Sequence, residues 1–153
     1  MKNAHEGFSL LELLVVIAII ALLSMLAVPN FMRFLAKAKR TEAYTQLRVL
    51  SMLEKTYFAE HGTYTTNIMG PDSLGWKTDG QTCYTYGFSQ GTEGKNYVTG
   101  SLKTPASALG TTSADAKGFV IAAAGDIDND GEHDILTISD QSNDIKIVKD
   151  DLA

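Results

Sequence analysis

The sequence contains few residues that could cross-link the chain or interrupt its helices and strands. Its 153 residues include one cysteine and three prolines. A single cysteine excludes an intrachain disulfide, so Cys83 is expected to be a buried and unreactive thiol. No Cys-x-x-Cys-His sequence occurs, which excludes a covalent haem site of that type. The fold must therefore be stabilised by burial and hydrogen bonds.

Dense positive charge is also missing. Residues 1–114 carry 10 Lys/Arg and 8 Asp/Glu, whereas residues 115–153 carry 3 Lys and 10 Asp/Glu. The net charge of −5 therefore arises in the C-terminal quarter. The one basic cluster, formed by Arg33, Lys37, Lys39 and Arg40, is typical of a membrane headgroup anchor or a solvated helix face. We expect no nucleic-acid partner.

The signatures of catalysis are absent as well. The sequence contains no nucleophile elbow and no glycine-rich phosphate loop. His133 has no second histidine at a spacing that would ligate a metal with it. We therefore assign no catalytic residue and predict that the protein is not an enzyme.

Apolar residues are concentrated near the N-terminus. Residues 8–28 contain 18 apolar residues out of 21, and the 20 residues from Leu13 to Met32 carry no charge. That length is close to what a helix needs to cross a bilayer. A wholly soluble monomer is therefore nearly excluded. No small-residue cleavage site follows the run, in contrast to an ordinary secretory signal.

Two residues mark the start of this apolar run. Gly7 ends a short polar head directly before Phe8, so a protease that cuts there would remove the head and keep the apolar segment. Glu12 lies inside the segment, where a lone acid costs on the order of 2.5–3.5 kcal/mol at the bilayer centre. A free amine on Phe8, of the same or a neighbouring chain, would neutralise it. The alternative is that Glu12 only favours the positive end of the helix.

The run Gly7-Phe8-Ser9-Leu10-Leu11-Glu12, followed by apolar residues, closely resembles the prepilin signature of type IV pilins and type II secretion pseudopilins. Within this superfamily the chain is most similar to a type IVa-like major pilin. The resemblance implies cleavage between Gly7 and Phe8, N-methylation of Phe8, and pairing of Glu12 with the Phe8 amine of an adjacent subunit. Pro29 matches the proline that kinks the pilin helix. Glu6 departs from the pattern, since the family usually places Lys or Arg there.

The same resemblance implies partners and a location. It implies a homopolymer of pilin subunits, a prepilin peptidase and an inner-membrane assembly machinery. The chain would cross the bacterial inner membrane once before assembly and would then belong to an extracellular pilus. Three functions stay open: a pilus subunit for adhesion and twitching motility, a pseudopilin of a type II secretion system, and a membrane-anchored calcium-binding module.

The rest of the chain predicts an α+β fold. A long helix should run from about Phe8 to Glu60, bent or locally melted near Pro29, with Gly62 as its C-cap. Its second half carries an apolar stripe that would cover a small antiparallel sheet. The stripe consists of Ala43, Leu47, Leu50, Leu53 and Tyr57. The predicted regions are a leader over 1–7, an apolar helix over 8–35 and a globular head over 36–153.

A loop and five predicted strands follow the helix. Residues 62–81 are rich in turn-forming residues and predict a loop with a short helical turn near Asp72–Leu74. The predicted strands are Thr82–Phe88, Asn96–Leu102, Gly118–Ala124, Asp134–Ser139 and Asp144–Lys149.

An acidic loop lies between the third and fourth predicted strands. Acids alternate at Asp126, Asp128, Asp130 and Asp134, with Gly131 at the sixth position, which matches the spacing of a calcium loop. Glu132 would supply the ligand at the seventh position through its backbone carbonyl. The flanking strands and Thr137 at the twelfth position exclude an EF-hand. The alternative is a hydrated hairpin turn that binds no metal.

Overall fold

The computed structural model describes residues 8–152, which form one helix followed by a small sheet. Contacts divide the chain after Leu35 into two compact units. The elements are α1 (Leu10–His61), β1 (Thr85–Gly87), β2 (Tyr97–Val98), the 3-10 helix η1 (Ala106–Leu109), β3 (Ser113–Ala114), β4 (Phe119–Gly125), β5 (Asp134–Ser139) and β6 (Ser142–Lys149). The predicted α+β class is confirmed.

Helix α1 continues through its single proline. Pro29 has no N–H to donate to the carbonyl of Met25, yet residues on both sides remain helical. One turn away, the Asn30 side chain donates a hydrogen bond of 3.1 Å to the Leu26 carbonyl. Local melting, one of the two predicted effects of Pro29, is therefore wrong, whereas the predicted bend stays a prediction.

The C-terminal end of α1 lies close to its predicted position. Gly62 adopts a φ of 72°, a left-handed conformation that residues with a Cβ rarely adopt. Its N–H donates to the Phe58 carbonyl at 2.8 Å. Gly62 is thus the C-cap, and α1 ends one residue later than predicted.

The strands form one antiparallel sheet in the order β2-β1-β4-β5-β6. β3 pairs with Val120 and Phe119, at the beginning of β4, beside the stretch that pairs with β1. β6 is an edge strand, and its pairing with β5 contains two register irregularities. The sheet is thus built around β4 and β5, its two best-paired inner strands.

The larger core cluster joins α1 to one face of the sheet. Its helix residues include Ala43, Leu47 and Leu50, which are buried, while Leu53 and Tyr57 are partly buried, as the predicted stripe requires. The sheet contributes alternating residues of its central strands, because side chains along a strand point to opposite faces. These sheet residues are Tyr84, Tyr86, Phe119, Ile121, Ala123, Leu136 and Ile138.

A second, smaller cluster lies on the opposite face of β4. Ala122 and Ala124 pack there with Leu109 of η1. The small alanine side chains let η1 lie close to the strand. β4 is therefore covered on both faces, which explains why its sequence is a continuous apolar run rather than an alternation.

The strand predictions locate the sheet but misjudge its first half. β5 has the predicted bounds, and β4 and β6 lie within one or two residues of theirs. The first two strands are much shorter than predicted, η1 and β3 were not predicted, and residues 72–74 form a turn instead of a helical turn. The backbone bends at Cys83 and Tyr84 before β1, and β1 ends at Gly87, whose φ is 125°.

Residues 62–81 form a loop held by buried side chains. Trp76, the only tryptophan, is buried, and its indole N–H donates to Gln46 of α1 at 3.3 Å. The Trp76 N–H also donates to the Ile68 carbonyl at 3.0 Å. This loop is thus part of the core, and Trp76 reports on its packing.

Glu54 is a buried acid at the contact between α1 and this loop. Its side chain has no exposed surface, Oε2 accepts a hydrogen bond from the Thr65 N–H at 3.2 Å, and Oε1 has no partner. Burial raises the pKa of Glu54 to about 7, against an opposing effect of the Thr65 N–H. The acid is therefore neutral in the folded protein well above its ordinary pKa.

The raised pKa of Glu54 predicts that the free energy of unfolding depends on pH. The folded state holds the Glu54 proton up to about pH 7, whereas the unfolded chain releases it near pH 4.5. The stabilisation is full below pH 4.5 and is lost as the pH rises through 7. We expect a loss on the order of 1–3 kcal/mol in the wild type and a smaller loss in Glu54→Gln.

Chemical unfolding of the full chain in detergent, followed by Trp76 fluorescence at pH 5 and pH 8, measures this difference. Glu60→Gln is the matched control, because Glu60 lies on the same helix and is exposed. Equal pH dependence in wild type and Glu54→Gln would contradict the assignment.

Candidate functional site

The first candidate site is the apolar part of α1. Every residue from Phe8 to Leu35 is exposed, including Phe8 itself at 71%. Among the residues that the structure describes, α1 is the one helix long and apolar enough, by length and composition, to cross a membrane, and none of its most apolar window is buried. Such a surface is unfavourable in water, since burial is worth roughly 25 cal/mol per Å² of apolar area. The segment therefore requires lipid or protein around it.

Glu12 is the single charge near the start of this segment. It lies in the first turn of α1, where the helix dipole favours an acid, and it is exposed. No acceptor or donor within residues 8–152 contacts its carboxylate. Gly7 lies outside the described residues, so cleavage before Phe8 stays a prediction, as does the methylation of Phe8.

The second candidate site is the acidic loop between β4 and β5. Asp126 organises it: Oδ1 accepts from the N–H groups of Asn129 at 2.6 Å and Asp130 at 3.2 Å, and Oδ2 accepts from Gly131 at 3.1 Å. Asn129 and Gly131 have positive φ angles of 67° and 93°. Both residue types tolerate this conformation, so the Asn-Asp-Gly sequence directs the tight turn.

The turn brings four carboxylates together. Oxygen atoms of Asp126, Asp128, Asp130 and Asp151 lie within 4.8 Å of one another. Asp151 comes from the C-terminal tail and is fixed by the Ile127 N–H, which donates to its Oδ2 at 3.0 Å. Its Oδ1 is buried without a hydrogen-bond partner. Burial, together with the charges of Asp128, Asp130 and Asp126, raises the pKa of Asp151, although the Ile127 N–H opposes this.

The structure places Asp134, a predicted ligand, in a buried ion pair outside the carboxylate cluster. Asp134 has no exposed surface and forms a bidentate ion pair with Arg40, whose Nε and Nη2 lie 2.9 and 2.5 Å from its oxygens. The Tyr84 hydroxyl donates to the same carboxylate at 2.6 Å. The structure therefore contradicts the prediction that Asp134 is a ligand in the loop. Its carboxylate is buried between α1 and the sheet and is already paired with Arg40 and Tyr84.

The Glu132 side chain is not part of the carboxylate cluster, and the role of its backbone carbonyl as a ligand stays a prediction. Its side chain is exposed and forms an ion pair with Lys149 of β6. Its N–H donates to Asp130 Oδ1 at 2.8 Å. The carboxylates brought together therefore include three predicted residues and Asp151, but neither Asp134 nor the Glu132 side chain.

Several cationic and carboxylate side chains of α1 hold the loop and sheet. Lys39 donates to the Ile127 carbonyl at 2.8 Å, and Arg40 also pairs with Asp150. Glu42 accepts from the Cys83 N–H at 2.9 Å and the Tyr86 hydroxyl at 3.0 Å. Two residues of the predicted basic cluster, Lys39 and Arg40, thus bind residues of the head.

The single cysteine, Cys83, is half-buried and not fully buried as predicted, and its lack of reactivity stays a prediction. Burial raises the pKa of the Cys83 thiol, and the nearby Glu42 carboxylate adds to this effect. A raised pKa keeps the group protonated, and the thiol is a weaker nucleophile than the thiolate.

Sequence reasoning missed Arg40 and Asp151 as partners of the loop. Arg40 lies 94 residues before Asp134, and Asp151 lies 24 residues after Ile127. The excess of acids in residues 115–153 was the one available signal, but it does not say which acids meet.

Comparisons with known proteins agree with the N-terminal motif. Residues 2–28 match the family model described as the prokaryotic N-terminal methylation motif. The chain is also similar to the type IV major pilin protein PilA of Myxococcus xanthus (strain DK1622), with 37% identity over 60 residues. That alignment covers 39% of this chain and 27% of the relative, so the chain matches about a quarter of the relative's length.

The buried pair between Arg40 and Asp134 predicts a large stability effect. Asp134→Asn removes the buried one of the two carboxylates that pair with Arg40, which costs about 2 kcal/mol although Asp150 remains as a partner. Unfolding of the full chain in detergent, followed by Trp76 fluorescence, measures the change. Asp79→Asn is the control, since Asp79 is exposed. Equal unfolding midpoints for the two variants would refute the assigned role.

Proposed function

With both comparisons supporting the type IV pilin family, we propose that this chain is a structural subunit of a type IV pilus. Copies would polymerise through the apolar part of α1 into a surface filament for adhesion and twitching motility. The relative identified above is itself named a major pilin. The proposed role is structural, and no catalytic step is assigned to the chain.

One observation carries the proposal: residues 8–35 are mostly apolar and are exposed on every side of the helix. A helix that packed on its own head would be apolar along one stripe only. A helix apolar all round is suited to lipid before assembly and to neighbouring copies afterwards. The membrane would then serve as the reservoir from which subunits are drawn.

Glu12 gives this packing a register. An acid among apolar helices is costly without a positive partner. The Phe8 amine of an adjacent subunit, freed by a prepilin peptidase and methylated, would supply that charge. An inner-membrane assembly machinery would add subunits, so the chain would begin in the inner membrane and end in an extracellular filament.

The second candidate is a pseudopilin of a type II secretion system. The single cysteine and the acidic loop favour it, because many type IV pilins close a C-terminal loop with two cysteines and pseudopilins bind calcium near their C-terminus. Neighbouring genes separate the two candidates: retraction ATPase genes accompany pilins, and secretin genes accompany pseudopilins.

We predict that Glu12→Ala reduces surface filaments sharply and leaves membrane insertion intact, because the variant loses the partner of the Phe8 amine while the apolar segment is retained. The measurement is the yield of sheared filaments against the amount of chain in the membrane fraction. Glu93→Ala is the control, since Glu93 is an exposed acid far from the helix in sequence.

A normal filament yield from Glu12→Ala would defeat the proposed register. Intact-mass measurement on the same preparations tests processing, with an expected mature chain that starts at methylated Phe8. An uncut chain would instead favour a membrane-anchored calcium-binding module that does not assemble.

The acidic loop supports a further proposal, a calcium ion held by Asp126, Asp128, Asp130 and Asp151. Calcium takes six to eight oxygen ligands in flexible geometry, and clustered carboxylates repel one another without a cation. The buried Asp151 Oδ1 without a partner fits this ligand set, since a buried carboxylate oxygen needs a donor or a cation. A bound ion would tie the C-terminal tail to the β4–β5 loop.

We predict that calcium raises the unfolding midpoint of the full chain with a dissociation constant of roughly 0.1–1 mM, the range of extracellular sites. At tenfold excess over that constant the gain is about 1.4 kcal/mol. Asp128→Asn and Asp151→Asn should lose this gain, whereas the control Asp144→Asn should keep it. No shift in the wild type up to about 10 mM calcium would remove the proposal.

A further inference from the structure

A groove of about 770 Å³ lies in the second compact unit, between α1 and the β5–β6 hairpin. Residues 48–59 of α1 contribute one wall, and residues 138–144 of the hairpin contribute the other. Ser51 is 4% exposed and Ile138 is 3% exposed, so both lie deep in this cavity, which we name the hairpin groove. Its volume is within the range of roughly 300–1,000 Å³ that small-molecule sites occupy.

The helix wall of the hairpin groove offers apolar surface to a ligand. Met52 is 68% exposed, and Ala59 lies two turns further along the same helix face. The Thr56 hydroxyl donates to the Met52 carbonyl at 3.1 Å, so the methyl group of Thr56 is left for outside contact. Together with Ile138 of the opposite wall, these groups can pack against an alkyl chain.

A line of hydrogen-bond donors runs along the same wall. Arg48, Ser51 and Lys55 follow one another by three and four residues, so they share one face of α1, and all three line the hairpin groove. Ser51 is almost fully buried, yet its hydroxyl donates to no protein group within residues 8–152. A buried hydroxyl is normally hydrogen-bonded, so this donor is suited to a ligand in the groove.

The two cations of this line are not neutralised by the chain. No ion pair within residues 8–152 involves Arg48 or Lys55, although the net charge of the chain is −5. Lys55 donates to the neutral side-chain amide of Asn143, across the groove. Asp144 also lines the hairpin wall and pairs with neither cation. The helix wall therefore presents two positive charges to a molecule in the groove.

This arrangement favours a ligand with an anionic head and an apolar body. An anionic head accepts charge-assisted hydrogen bonds from guanidinium and ammonium groups, which are stronger than hydrogen bonds between neutral groups. A cationic ligand would be repelled, and a neutral one would leave both charges without a partner. From Arg48 to Ala59 the wall extends for about 16 Å along the helix, which suits an alkyl chain of medium length.

We propose that the hairpin groove binds a free amphiphilic anion, an alkyl carboxylate of medium chain length. Arg48, Ser51 and Lys55 bind the carboxylate. Met52 and Ile138 pack against the alkyl chain. The site lies wholly within the second unit, so the proposal does not rest on the proposed function and adds a ligand-binding role to the head.

Photo-labelling of the full chain in phosphatidylcholine nanodiscs tests this proposal. The probe is octanoate with a diazirine in its alkyl chain, and mass spectrometry identifies the labelled residues. We expect label within residues 48–59 and 138–144 that saturates with probe concentration and that excess octanoate removes. Probe dissolved in the lipid should also label residues 8–35, but without saturation.

A second probe, with an alcohol in place of the carboxylate, is the matched control for charge. We expect about tenfold less label in the hairpin groove from the alcohol, because it lacks the charge that Arg48 and Lys55 recognise. Label on residues 8–35 should persist, because the alcohol also dissolves in lipid.

Variants assign the recognition to named side chains. At probe concentrations below saturation, Arg48→Gln and Lys55→Gln should each lower the groove label about tenfold, and Ser51→Ala about threefold. Lys77→Gln should leave it unchanged, since Lys77 is an exposed lysine outside the groove. Trp76 fluorescence checks that every variant remains folded.

Equal groove labelling by the two probes, label that does not saturate, or undiminished label in both Arg48→Gln and Lys55→Gln would overturn the proposal. Nanodiscs that hold one copy exclude coverage of the groove by a second copy, so absence of groove label there would overturn it as well. The proposed function is judged separately by surface filaments, whose loss leaves this site in place.

Discussion

The ion pair between Arg40 and Asp134 connects four separate parts of the head. Arg40 belongs to α1, Asp134 begins β5, Tyr84 precedes β1, and Asp150 lies in the C-terminal tail. Asp134 is buried at the end of the acidic loop, so the pairing fixes where that loop ends and where the tail returns. Loss of Arg40 would leave the Asp134 carboxylate in the core without its cation. Polar residues rather than apolar ones therefore determine this part of the fold.

The sequence predicted well those features that depend on local pattern. The stripe through Leu47 and Leu50, the Gly62 cap and the bounds of β5 all follow from periodicity or from one residue's backbone preference. Features that depend on distant partners were missed. The first predicted strand loses its first three residues because the backbone bends at Cys83 and Tyr84, and nothing local indicates that Asp151 rather than Asp134 joins Asp126.

Acids of the C-terminal quarter have distinct physical roles despite their similar appearance in the sequence. Asp134 is paired inside the core, Glu132 is paired on the surface, and Asp126 shapes a turn through three backbone N–H groups. Asp151 alone among them has a buried oxygen without a donor. The net charge of this region therefore says little about the role of each acid. Asp134 is buried with its partners and completes the fold, whereas Asp151 has a buried oxygen without a donor and is suited to bind a cation.

The edge strand β6 has a consequence for how the head behaves when it is concentrated. Its pairing with β5 is irregular at two places, and its exposed residues include Lys146 and Lys149. Irregular register and lysines on an edge hinder the addition of a foreign strand. These features hinder the sheets of neighbouring heads from joining edge to edge into amyloid-like ribbons when the protein is concentrated.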